Sequence, residues 1–206
     1  MLECVHRGTA VICGPDGTVE AAWGEPGRVV LPRSSVKMLQ ALPLVESGAA
    51  DRAGLDEARL ALACASHQGA AVHTDLARTW LADLGLGEEA LRCGPQVPDD
   101  PATRFSLRMK GEAPGQVHNN CSGKHCGFLT LSRDMGGDAE YLELDHPVQR
   151  AVRAAIEELG DAPVHGHAID GCSAPNFAMS LRAVATAMAR FAAAGRALSG
   201  RRAEAA

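Results

Sequence analysis

Three features of the sequence predict an α+β fold: a β-rich opening closed by a turn signal, a succession of helical stretches after Ser34, and few strand signals beyond them. Residues 2 to 13 read as a strand through Val5, Thr9, Val11 and Ile12, and residues 18 to 23 as a second. Pro15-Asp16-Gly17 is a turn sequence that joins them into a hairpin. Gly24-Glu25-Pro26-Gly27 breaks the pattern, and Arg28 to Leu31 is a short apolar run stopped by Pro32. Ser34 or Ser35 is placed to cap a helix carrying Met38, Leu39, Leu42, Leu44 and Val45, with Pro43 kinking or ending it and Gly48 as its stop. Residues 55–65 and 72–84 are further helical stretches, the latter ended by Gly85. Residues 92–119, rich in Pro, Gly and charge, read as a long loop, and a helix starts at Gly127. Asp145 is expected to cap a helix over 147–159, where Val148, Val152, Ala155, Ile156 and Leu159 share one face. An alanine-rich helix follows over 178–194, and residues 195–206 read as a frayed tail. A two-stranded hairpin is marginal alone, so helices must cover it or further strands must pair with it.

Composition narrows the function. The 206 residues fit one domain, 1–206, and 46% hydrophobic with 22% charged residues is ordinary for a globular chain. Lys and Arg are scattered and the net charge is −5, which argues against nucleic acid as the main partner. No apolar run reaches the ~18 residues of a membrane span. The opening MLECVHRG has no basic-then-apolar leader pattern, so a cytoplasmic location is expected. Seven cysteines, an odd number, do not suggest a disulfide framework in that setting. Cys4, Cys13, Cys64 and Cys93 lie in apolar or strand-like surroundings and read as small buried hydrophobes.

Four segments carry chemistry. In Ser34-Ser35-Val36-Lys37, one helical turn brings Ser34 and Lys37 to one face, where a desolvated lysine can act as base toward a serine hydroxyl. The alternative is an N-cap serine beside a solvated lysine. Ser66-His67-Gln68-Gly69 is either a polar pocket wall or a helix end closed by Gly69. The run from His118 to Gly127 packs two Asn, two Cys, two His, a Lys and two Gly into ten residues. Cys121, with Cys126 or His125, has the softness of a metal ligand, although the spacing matches no standard zinc finger and no phosphate loop. Cys172, in Asp170-Gly171-Cys172-Ser173, is a candidate third ligand or nucleophile.

Taken together, PRSSVKMLQALPLVESGAAD, LACASHQG, HNNCSGKHCG, DHPVQRAVRAAIEEL and DGCSAPNF resemble, in order, the bacterial asparaginase II family that includes the Rhizobium-type zinc-dependent L-asparaginases. The resemblance runs from about Leu2 to Phe191. It implies a fold like the serine β-lactamases and glutaminases, an antiparallel sheet with helices around it, and hydrolysis of L-asparagine to L-aspartate and ammonia. Ser34 and Lys37 then match the nucleophile and its base, and Ser66 the second active-site serine. His67, Asn119 and Asn120 fall to substrate binding, and Cys121, Lys124 and Cys172 match a Zn2+ site completed by water. Two departures stand out. Ala70 replaces the usual acidic residue after Ser-His-x-Gly. Family members also continue past this end with more strands, a further active-site lysine and another cysteine, so a C-terminally shortened domain is expected, with an exposed sheet edge prone to self-association as a homodimer. A serine hydrolase of other specificity and a non-catalytic zinc-binding remnant are the competing readings.

Overall fold

The computed structural model describes residues 3–206. It is an α+β arrangement in which helices form the bulk and strands pair antiparallel in three separate twos. β1 (Ala10–Cys13) pairs with β2 (Val19–Trp23), with Ala10 opposite Trp23. β3 (Val29–Val30) reaches across the chain to β6 (Met179–Ser180), and β4 (His167–Ile169) pairs with β5 (Pro175–Phe177). The hairpin is therefore present, but its first strand is four residues long. Of the longer strand expected, residue 2 lies outside the described residues and residues 3–9 are not strand.

α6 (Ser122–Asp134) is the centre of the molecule. Its residues from Ser122 to Ser132 are buried on every side, and α1 (Lys37–Glu46), α3 (Glu57–Cys64), α4 (Ala71–Asp83) and α7 (Pro147–Gly160) surround it. Its small residues explain how it is enclosed. A Cβ on Gly123 would meet the Leu62 carbonyl oxygen at 2.4 Å, so only glycine lets α6 lie this close to α3. Gly127 faces Leu44 and Ala63 in the same way at 3.3 and 3.6 Å. Trp80 fills the space beside them and donates its indole N–H to Thr130 at 3.0 Å. α7 turns its apolar stripe, Val148, Val152, Ala155, Ile156 and Leu159, inward, and α8 (Leu181–Ala192) packs between α7 and β1.

Several boundaries differ from the sequence reading. A single turn of 3-10 helix, Arg33–Val36, precedes α1, so neither Ser34 nor Ser35 caps it. Pro43 does not end α1, which runs three residues further. The expected loop over 92–119 contains α5 (Pro101–Lys110), started by the Asp100 carboxylate accepting from Thr103 N–H and stopped by left-handed Gly111. α6 begins at Ser122 rather than Gly127. His146, not Asp145, caps α7: its Nδ1 accepts from Val148 N–H at 3.1 Å. The tail expected to fray forms two short helices, α9 (Ala194–Ala197) and α10 (Gly200–Ala205), with α2 (Ala49–Arg52) the third short helix of the chain. Arg202 anchors α10 by a two-pronged pair with Glu46 and a contact with Glu158. Of the four cysteines read as buried, Cys93 is buried, Cys13 and Cys64 are half-buried, and Cys4 is exposed.

Candidate active site

Four segments meet at the N-terminal end of α6. The first follows β3. Arg33 is left-handed at φ 53°, and its backbone N–H donates to Asn176 Oδ1 on β5 at 3.2 Å. Its guanidinium pairs with Asp170. The turn that presents Ser34 is therefore tied to the β4–β5 hairpin. That hairpin's own turn holds Cys172 and a second left-handed residue, Ser173 at φ 67°. Non-glycine residues in this region are strained, and here one stands next to each reactive side chain.

The second segment, residues 65–69, follows α3. Ser34 Oγ donates to Ser66 Oγ at 3.4 Å, and both serines are exposed. Beneath them Lys37 is 1% exposed. Its Nζ donates to the Ala65 carbonyl at 2.6 Å and to the Asn120 carbonyl at 3.2 Å. Burial pulls its pKa down, the positive charge of Lys124 adds to that, and Cys121 opposes it. The lysine is thus a buried amine held on the Ala65 and Asn120 carbonyls, not the solvated side chain of the alternative reading.

Asn120 joins this half of the site to the other. Its Nδ2 donates to Ser66 Oγ at 3.3 Å, and its Oδ1 lies 3.2 Å from Cys121 Sγ. Lys124 Nζ donates to Cys172 Sγ at 3.2 Å. The neighbouring Cys121 thiol, His125 and Lys124 pull the Cys172 pKa down, while Cys172 and burial push the Cys121 pKa up. Cys121, Lys124 and Cys172 are thus brought together as two soft sulfurs and an amine. Cys126, by contrast, is turned to the Ala77 carbonyl.

Two of the residues assigned to substrate binding are occupied elsewhere. His67 accepts from Gly69 N–H at Nδ1 and lies 2.9 Å from Ser122 Oγ at Nε2, while its ring stacks on His73. Burial lowers its pKa to about 4. Asn119 uses its Nδ2 on the Cys93 and Gly94 carbonyls and its Oδ1 on Cys121 N–H. Both hold the backbone that presents Ser66 and Cys121. Gly69 closes this region at φ 70°, with the Pro98 side chain and the His118 carbonyl within 3 Å of where its Cβ would be.

Comparison with known proteins decides the family. The model described as L-asparaginase II matches residues 1–206. The chain belongs to the L-asparaginase II family. No curated protein matches it. Membership makes the chain an asparaginase-type amidohydrolase, acting on an asparagine-type substrate. None of the described helices is long and apolar enough to cross a membrane.

Sequence reasoning gave no role to Arg33 or Asn176, although both lie inside motifs it singled out, because their contact fixes backbone. A cleft of about 510 Å³ among the described residues lies between Arg52, Trp80, Asp83, Arg133 and Asp134 and includes none of the residues above. The Arg52–Asp134 pair on its rim is self-satisfied.

Proposed function

We propose that this chain hydrolyses the side-chain amide of L-asparagine, giving L-aspartate and ammonia, with Ser34 as nucleophile. The observation that carries this reading is the Ser34–Ser66 hydrogen bond, with the buried Lys37 bonded to the carbonyl of Ala65, the residue before Ser66. Amide hydrolysis needs an activated hydroxyl and a place to put its proton. Ser34 Oγ forms a bond to the amide carbon as its proton passes to Ser66 Oγ, and the Ser66 proton moves on to Lys37, whose depressed pKa favours the neutral amine. The same path returned in reverse protonates the departing nitrogen as ammonia. A second passage, with water in the place of Ser34, frees aspartate. Asn120 Nδ2 keeps the Ser66 lone pair aligned for this relay.

The donors Cys121, Lys124 and Cys172 fit a zinc ion, which favours thiolate and nitrogen ligands and needs both deprotonated. Such an ion would supply fixed positive charge beside the serine pair. Ala70, where an acidic residue is usual in the family, removes one carboxylate from the edge of the 65–69 segment.

Ammonia release from L-asparagine with zinc present tests the reading. Wild type is expected to turn over, Ser34→Ala to lose several orders of magnitude, and Ser66→Ala to lose less. Turnover undiminished in Ser34→Ala overturns the assignment. The exposure of both serines favours one second reading, a zinc-binding protein without turnover, because amide hydrolysis gains from exclusion of water. Zinc binding with no ammonia release decides for it.

A further inference from the structure

A cleft of about 410 Å³ opens between α4 and α5, and His118, at the end of the 3-10 turn Gln116–His118, lines it. A cleft of this size accepts a small molecule. None of its lining residues belongs to the serine pair, its lysine or the thiol cluster. His118 is 5% exposed, yet only one of its ring nitrogens is occupied: Nδ1 accepts from Gly115 N–H at 3.0 Å. A ring that accepts at Nδ1 carries its proton on Nε2. That Nε2–H has no hydrogen-bond partner among the described residues, and it is not among the polar atoms sealed away from solvent. An enclosed side chain thus keeps one donor free at the wall of the cleft.

The other polar side chains of the cleft divide into occupied and free. Asp100 accepts from Thr103 N–H at 2.7 Å and from Thr103 Oγ1 at 2.8 Å, and Asp75 takes Nη1 of Arg78 at 3.1 Å. The Lys110 ammonium, the Ser106 hydroxyl and the Glu112 carboxylate enter no side-chain hydrogen bond or ion pair among the described residues, and the rest of the Arg78 guanidinium is free as well. Donors and a carboxylate therefore share one small space. A plain anion would meet Glu112, Asp75 and Asp100 on the same walls, and a plain cation would meet Arg78 and Lys110. A molecule carrying both charges finds a partner for each.

We propose that this cleft is a second binding site, for a free α-amino acid: the carboxylate accepts from His118 Nε2–H, Lys110 and Arg78, and the ammonium pairs with Glu112. An amino acid held here is not placed for hydrolysis, because neither Ser34 nor Ser66 lines the cleft. Its walls nevertheless reach the serine segment, since Asp100 N–H donates at 2.9 Å to the carbonyl of Gln68, two residues past Ser66. The site goes beyond the hydrolysis reading and does not depend on it.

L-Aspartate is the probe, because it has no side-chain amide to be hydrolysed. Histidine-ring 1H–13C spectra of the full chain follow the His118 signal, assigned by its loss in His118→Gln, and calorimetric titration reads the affinity. The expected result is a saturable shift of His118, with binding weakened about tenfold in Lys110→Ala and in Glu112→Gln, roughly the worth of one charged hydrogen bond. Succinate, which keeps both carboxylates and lacks the ammonium, is expected to bind weaker by a similar factor. No saturable shift of His118 overturns the proposal, as does binding that neither substitution alters, or succinate bound as tightly as L-aspartate. L-Aspartate taken up at the serine pair alone shifts the His67 ring and is untouched by Lys110→Ala, which also overturns it. Lys110 and Glu112 are exposed, so the calorimetric arm stands even where His118→Gln fails to fold. Ammonia release enters none of these readouts, and a chain without turnover still decides the question.

Discussion

Lys37 Nζ lies 2.6 Å from the carbonyl oxygen of Ala65, the residue just before Ser66. One side chain therefore both supports the segment carrying the second serine and supplies the site's desolvated amine. Lys37→Met is expected to lower ammonia release about 10²–10⁴-fold, the usual worth of a proton-transfer group. The same substitution leaves the Ala65 and Asn120 carbonyls short of a donor, at a cost of about 1–3 kcal/mol in unfolding free energy. A rate loss much larger than the stability loss supports the chemical role. A protein that merely unfolds, and recovers its rate at low temperature, argues for a strut alone.

Gly123 provides a steric test. A methyl group there meets the Leu62 carbonyl at 2.4 Å and the Leu62 Cγ at 2.5 Å, both parts of a packed neighbouring helix. Gly123→Ala is expected to destabilise the protein by about 1–3 kcal/mol through overpacking. It should also displace Cys121 and Lys124 from Cys172, so zinc affinity falls with the melting temperature. Gly136→Ala serves as a control in open space, and its left-handed φ of 67° alone gives the smaller loss.

Stability should depend on pH through His67. Its pKa falls from the ordinary 6.5 to about 4 because the ring is buried. The unfolded chain therefore binds the proton more readily than the folded one, and acid favours unfolding. The contribution, on the order of 3 kcal/mol, is fully present above pH 6.5 and is lost as the pH drops toward 4. His118 and His125 are shifted in the same direction by burial. Denaturant midpoints measured from pH 8 to pH 4 should be flat and then fall, and His67→Gln should make the fall shallower. An equal slope in both proteins would show that other groups carry the acid sensitivity.

Asn176→Ala addresses the strained turn before the nucleophile. The Asn176 side chain is 5% exposed and its Oδ1 takes the backbone N–H of left-handed Arg33. Without it that N–H has no partner, at a cost of about 1–3 kcal/mol, and Ser34 is released from the β4–β5 hairpin. The expected signature is a drop in kcat with little change in KM, since the geometry of attack is affected more than the binding of substrate. A change in KM alone would place Asn176 against the substrate instead.

The grouping of the polar motifs was more legible in the sequence than the architecture that brings them together. Ser34, Lys37, Ser66, Cys121, Lys124 and Cys172 do converge, because clusters of polar residue types in glycine-rich stretches are rarely explained by packing. Helices with a clean apolar face, such as α7, were legible for the same reason of periodicity. α6 was not, because a helix buried all round by small and polar residues shows no stripe, and its start at Ser122 hid inside the motif. α5 carried its signal in the open, an Asp-Pro start and a Gly stop, but its polar composition resembled a loop. The α10 anchor depends on Arg202 finding Glu46, more than 150 residues away, a pairing no local pattern can show. Nor could spacing reveal that Asn119 would spend its amide on backbone and His67 its ring on the Gly69 N–H and the Ser122 hydroxyl.

The chain has a single tyrosine, and it is Tyr141, fully buried against the His125 ring. The tyrosine part of its ultraviolet difference spectrum therefore comes from one place, one hydrogen bond from His125. A change in the packing or bonding of that buried pair should register there without any label or engineered chromophore, which makes the protein its own optical gauge of the state of its interior.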